Sequence, residues 1–158
     1  MSARPAAPLL DRAPRLSVDE AGELALRLFG VAGRVEQLTS ERDQNFLIDA
    51  THGERLVLKI ANALESAAMV DAQQQAMTRV AESLRLAPHP ILGLDGALLR
   101  EVTLGDGAAH LVWAVSRIPG EPLASVGHRS RALSEELGRR IAEIRTVLSP
   151  FDHPAIHR

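Results

Sequence analysis

The feature that most constrains this chain is a change of hydrophobic period at Arg34. Before it, Ala21, Leu24, Ala25 and Leu28 recur at helical spacing. After it, Val35 and Leu38, then Phe46 and Ile48, then Leu56, Leu58 and Ile60 form short alternating runs parted by polar turns. Runs this short, the second and third joined by the tight turn Thr51-His52-Gly53-Glu54, predict an antiparallel meander. The helix ahead of them has a start and a stop. Ser17-Val18-Asp19-Glu20 is a capping box and Gly30 suits the end, which places the helix at about Val18 to Phe29.

Beyond the meander, Asn62 or Ser66 opens a longer helix. Its apolar positions, Met69 or Val70, Met77, Val80 or Ala81, and Leu84, keep helical spacing until Pro88 and Pro90 forbid continuation. Three strand candidates follow, Ile91 to Leu94, Leu98 to Thr103 and His110 to Ile118, separated by Asp95-Gly96 and Gly105-Asp106-Gly107. Pro119-Gly120-Glu121-Pro122 breaks the chain. Leu133, Leu137, Ile141, Ile144 and Leu148 then make one stripe of a last helix that Pro150 ends. Phe151 to Arg158 show no cap or stable element, so the chain reads as cut. The expected fold class is α+β: an antiparallel sheet of about five to six strands with a long helix packed on it, an N-terminal helix and a C-terminal linker helix. Residues 1–16, with Pro5, Pro8 and Pro14, read as a flexible tail.

Composition excludes several classes. At 158 residues and 46% hydrophobic, the chain has enough for one domain with a core. A net charge of -2 and 3% aromatic residues argue against nucleic-acid binding. Without cysteine there is no disulfide or thiolate metal site, and the six histidines lack ligand spacing. No stretch is long enough to span a membrane, so no membrane partner and a cytoplasmic location are the expectation. Of the 18 basic residues all are Arg except Lys59, which falls on the third strand. A high-GC coding bias explains the Arg excess. A compact ammonium at this one place fits between phosphates as a planar guanidinium would not; the other reading is a strand lysine that blunts an edge or sits in solvent.

The order helix, strand, polar turn, two strands with Lys59 on the second, long helix, strands and breaker is that of a protein-kinase-like small lobe, with Lys59 where the Val-Ala-Ile-Lys motif has its lysine. Leu38-Thr-Ser-Glu-Arg-Asp-Gln-Asn-Phe46, Val57-Leu58-Lys59-Ile60-Ala61-Asn62 and Asp71-Ala-Gln-Gln-Gln-Ala-Met77 resemble the hydroxylysine-kinase branch of the aminoglycoside phosphotransferase and choline kinase superfamily. The loop Ser40 to Phe46 has no glycine; in that superfamily backbone amides and a hydroxyl replace the glycine cradle. The resemblance implies ATP or GTP with Mg²⁺ as cofactor. It places Ser40 and Asn45 over the triphosphate and Lys59 on the α- and β-phosphates. It aligns Gln73 with the glutamate that orients the lysine, with Asp71 as runner-up and a plain helix residue as the other reading of Gln73. It puts Val115 at the back wall of the adenine, with the backbone of Arg117 and Ile118 at the base edge.

The resemblance also implies what this chain lacks. The His-Gly-Asp loop, its downstream Asn and the metal-binding Asp belong to a helical lobe after Arg158, so no catalytic or metal residue is expected here; His153 precedes Pro, not Gly-Asp. Residues 17–122 are then the nucleotide-binding lobe, and 123–158 a linker helix and the start of the next lobe. The expected activity of the parent is transfer of the γ-phosphate to a hydroxyl of a small amine or amino acid. Its own C-lobe or a dimer partner would cover the exposed face. The alternative is a non-catalytic kinase-like module of a larger protein.

Overall fold

The structure, a computed structural model, describes residues 13–51, 53–105 and 107–157. Helix α1, Val18–Phe29, begins at the expected box: Ser17 Oγ accepts from the Glu20 amide at 3.2 Å, and Glu20 Oε2 accepts from the Ser17 amide at 2.7 Å. It ends where Gly30, at φ 70°, turns left-handed and its N–H reaches the Leu26 carbonyl at 3.0 Å. The buried stripe is Ala21, Leu24, Ala25 and Phe29. Of the expected tail, residues 1–12 lie outside the described residues. Leu16 at its end exchanges two bonds with the Gln44 side chain, at 2.7 and 3.2 Å, and Pro14 is buried.

The meander forms as β1 Gly33–Leu38, β2 Gln44–Ala50 and β3 Arg55–Ile60. Its second turn closes through Ala50 N–H to Glu54 O at 2.8 Å, with Gly53 at φ 87°; His52 lies outside the described residues. After α2, Ala67–Leu84, the chain adds β4 Arg100–Thr103 and β5 Ala109–Ser116, giving one antiparallel sheet in the order β1-β2-β3-β5-β4. β5 therefore lies against β3, and β4 is an edge.

The strand expected at Ile91 to Leu94 does not form. Pro90 makes an isolated bridge to Val115 and the Ile91 amide donates to Ala114 O at 2.9 Å, but the chain then curls back through Gly93 N–H to Ala97 O at 3.0 Å. The Arg100 guanidinium, paired with Asp95, lies so close to Gly93 that a Cβ there would collide with it. An extended segment would have to give up that nested turn. The neighbouring run, expected from Leu98, is shortened to β4.

Strand alternation sorts the side chains between two layers. Leu56, Leu58 and Ile60 join Phe46, Ile48, Val112 and Ala114 beneath α1. Ala61, Leu111, Trp113 and Val115, with Val57, pack on the other face against Val70 and Met77 of α2. Lys59 shares the parity of Val57 and Ala61, so the α2 face receives it.

The last helix is α3, Arg131–Leu148, capped by Ser130 Oγ, which accepts from the Leu133 amide at 3.1 Å. None of its residues is fully buried. It leans on α2, where Arg79 Nε donates to Val147 O at 2.9 Å. The residues after it are more ordered than their sequence suggests: Pro154–His157 form a 3₁₀ turn with Ala155 buried. His153 holds that turn in place. Its Nδ1 accepts from the Ala155 amide, and its Nε2 lies 3.1 Å from Asp71 Oδ2 on α2. No helix among the described residues is long and apolar enough to cross a membrane.

Candidate functional site

Three strands contribute one residue each to a row across the α2 face. Asn45 on β2 pairs in register with Lys59 on β3, and Lys59 pairs with Trp113 on β5. Lys59 Nζ donates to Asn45 Oδ1 at 3.0 Å and stands 5.3 Å from the centre of the Trp113 ring. That contact is a cation–π geometry, favourable where water is scarce. Trp113 is buried and Lys59 half-buried.

The charge environment is mixed. Burial lowers the Lys59 pKa below the ordinary lysine value, and the Asp43 carboxylate partly restores it. Asp43 belongs to the loop between β1 and β2, and its Oδ1 accepts from the Asn62 amide at 2.9 Å. Asn62, itself buried, donates from Nδ2 to the Arg42 carbonyl at 3.4 Å and accepts from the Leu64 amide at 3.0 Å. Loop and strand end are thus stitched together beside the lysine. The Asp43 carboxylate is thereby turned onto a main-chain amide.

The other expected residues are placed as follows. Ser40 is exposed in the same loop. Val115 is buried on the Lys59 face, opposite Val57. The Arg117 amide donates to Arg55 O at 3.0 Å, whereas the Ile118 amide has no partner among the described residues. Arg117 and Ile118, with Arg85, His89 and Pro119, border a cavity of about 380 Å³. Neither residue expected to orient the lysine does so. Asp71 is exposed and bonded to His153 and to Gln75 Nε2, the latter at 2.8 Å, and Gln73 is exposed on α2. The buried glutamine is Gln74. Among the described residues no group of three or more His, Asp or Glu converges on a metal position.

Trp113, Asp43 and Asn62 were missed by sequence reasoning. Trp113 carried a signal, as the one Trp in a chain poor in aromatics. The other two carried none, because their importance depends on how the loop folds over the end of β3.

A five-stranded antiparallel sheet in this order, with a helix over the face that carries a lysine on its third strand, is a protein-kinase-like small lobe of α+β class. Residues 34–158 match the phosphotransferase enzyme family, and the chain belongs to it. It is 31% identical over 147 residues to the hydroxylysine kinase of Danio rerio, with 89% of this chain and 41% of that protein covered. Among solved structures it is similar to amicoumacin kinase in complex with AMP-PNP, Ca²⁺ and Ami, at a TM-score of 0.71, 14% identity and coverage of 88% and 42%. It is also similar to a microcompartment-associated aminopropanol kinase, at a TM-score of 0.69, 15% identity and coverage of 88% and 43%. The chain spans less than half the length of each of these relatives. It is related to small-molecule kinases through their N-terminal lobe.

Proposed function

We propose that the chain is the nucleotide-binding lobe of a kinase that moves the γ-phosphate of ATP or GTP, with Mg²⁺, to a hydroxyl of a small amine or amino acid. The observation that carries this reading is the row Asn45, Lys59 and Trp113. It holds a single partly desolvated ammonium on the face that a nucleotide would meet in such a lobe. Lys59 would hold the α- and β-phosphates and Asn45 would keep its side chain extended toward them. Ser40 would supply a hydroxyl from the loop. Val57 and Val115 offer an apolar surface for a base, and the Ile118 amide is the main-chain donor left for its edge. The bound nucleotide would supply the transferred phosphoryl group; this chain's residues bind and orient it. Base and metal ligands are assigned to residues outside this chain, which alone turns nothing over.

Fit favours a nucleotide only in part. The ammonium and its acceptor suit phosphate, while Glu41 and Asp43 bring like charge, the second of them turned to the Asn62 amide. Fluorescence of Trp113 during titration with ATP and with GTP tests the reading. Saturable change is expected, lost by about tenfold or more in affinity in Lys59→Ala, the scale of a charge-assisted hydrogen bond. An unchanged affinity in that variant sinks the phosphate role of Lys59. Steady phosphorylation of an amine by this chain alone would refute the assignment of catalysis elsewhere.

One observation favours a second reading, a kinase-like module without catalysis: neither Asp71 nor Gln73 reaches Lys59. A lysine lacking its carboxylate is poorly fixed for phosphoryl transfer. Under that reading the titration is flat for both nucleotides.

A further inference from the structure

We propose that the free edge of β1 is a self-association surface, on which a second copy of this chain pairs antiparallel about a two-fold axis at Val35. β1 ends the sheet on one side and keeps a regular register with β2 from Gly33 to Leu38, without bulge or proline. Such a strand presents a row of main-chain donors and acceptors of the kind that natural sheets usually blunt.

Which groups it presents follows from the ladder. The Thr51 amide donates to Ala32 O at 3.3 Å, and the Ala50 amide turns the other way, to Glu54 O. Hydrogen-bonded pairs alternate along an antiparallel ladder, so Arg34 and Glu36 bond toward β2, whereas Gly33, Val35 and Gln37 direct their N–H and C=O outward. None of these outward groups has a partner among the described residues.

The side chains decide the occupant. Val35 packs on the α1 face, so Arg34 and Glu36 take the other face, beside Leu47 and Asp49. Both are exposed, and Asp49 is taken by Arg55, which leaves neither in an ion pair among the described residues. With the axis at Val35, Gly33 of each copy meets Gln37 of the other and every outward N–H and C=O finds a partner. Arg34 then stands opposite Glu36 of the second copy, twice. These are the pairs without hydrogen bonds, in which side chains approach more closely. Moving the axis to Arg34 or to Glu36 keeps the hydrogen-bonding parity but sets Arg34 against Arg34, or Glu36 against Glu36, which is unfavourable. The edge is thus complementary in charge to itself in one register and in neither neighbouring one.

Helix α1 leaves room for the second copy. Val18 and Gly22 on one flank border an open hollow beside Gly33 and Val35, and Leu24 and Arg27 on the other border Thr103 and Leu104 at the far edge. The helix therefore crosses the sheet without overhanging β1. Val18, 40% exposed, lies on the flank that a second copy would approach. The surface contains no residue of the Lys59 row and stands whether or not the nucleotide reading does.

Sedimentation over a concentration series, on the parent and on two charge reversals, tests the surface. The parent should form a dimer. Arg34→Glu and Glu36→Arg, both at exposed positions, should each weaken it by about tenfold, since two opposite-charge pairs become like-charge pairs. Mixing the two variants should restore association as a heterodimer, because each then meets the opposite charge at both places. A chain carrying both reversals should dimerise as the parent does. The proposal is overturned by a parent that stays monomeric up to about 200 μM. It is equally overturned by reversals that leave association unchanged, as contact through the apolar stripe of α3 would, or by a mixture that associates no more tightly than its components.

Discussion

A lysine carried under a helix gives up water, and at Lys59 the loss outweighs the help of Asp43, so the folded chain holds that proton less tightly than the unfolded one. Between the lowered value and the ordinary lysine value the unfolded state binds more protons, so stability rises with pH across that window; below it the full cost of the buried charge remains. Removing the charge while keeping the stem should therefore help the fold. Lys59→Met is expected to raise the melting temperature by about 2–4 °C at neutral pH while abolishing the nucleotide response. A lysine that merely blunted an edge would show neither effect. Lys59 was legible in the sequence because it is unique; its neighbours were legible only in part. Asn45 could be named from the loop motif, but its bond to Lys59 and the Trp113 contact depend on strand register, and β5 comes to lie against β3 only after the intervening helix.

Caps give the element scale its sharpest contrast. Ser17 takes part in a reciprocal box, whereas Ser66 begins α2 without any side-chain capping bond. Ser17→Ala should cost about 1 kcal/mol, and Ser66→Ala should stay within about 0.5 kcal/mol; urea midpoints compared at constant slope decide between them. The first of these helices could be read from its sequence to the residue. The second could be read as a helix but not in phase. Val70 and Ala81 set a face that takes Gln74 inward, and three consecutive glutamines gave hydropathy no means of choosing among Gln73, Gln74 and Gln75. The lysine partner was accordingly assigned to residues that face elsewhere, Asp71 binding His153 from the far end of the chain. Ile91 to Leu94 failed for another reason: a Gly93 nested against Arg100 is a tertiary contact, and a short apolar run between turn residues reads as strand without it.

The whole molecule leaves part of its apolar surface uncovered. On α3, Leu137 is 43% and Ile141 is 58% exposed, both on the apolar stripe that the sequence shows along this helix. Such a stripe seeks cover in water, from a second copy or from a further lobe of the kind its longer relatives have room for. Leu137→Glu with Ile141→Glu should lower concentration-dependent association in sedimentation while moving the melting temperature by no more than about 2 °C, since both sites are already solvated. The molecule as a whole also has an unusual chemical simplicity. It carries one side-chain amine, and that amine is lodged between an asparagine and the only indole in the sequence. An amine-selective acylating reagent has a single side-chain amine to find here, and its modification would be visible in the emission of the ring beside it, so the rate of one covalent reaction reports how open that face is.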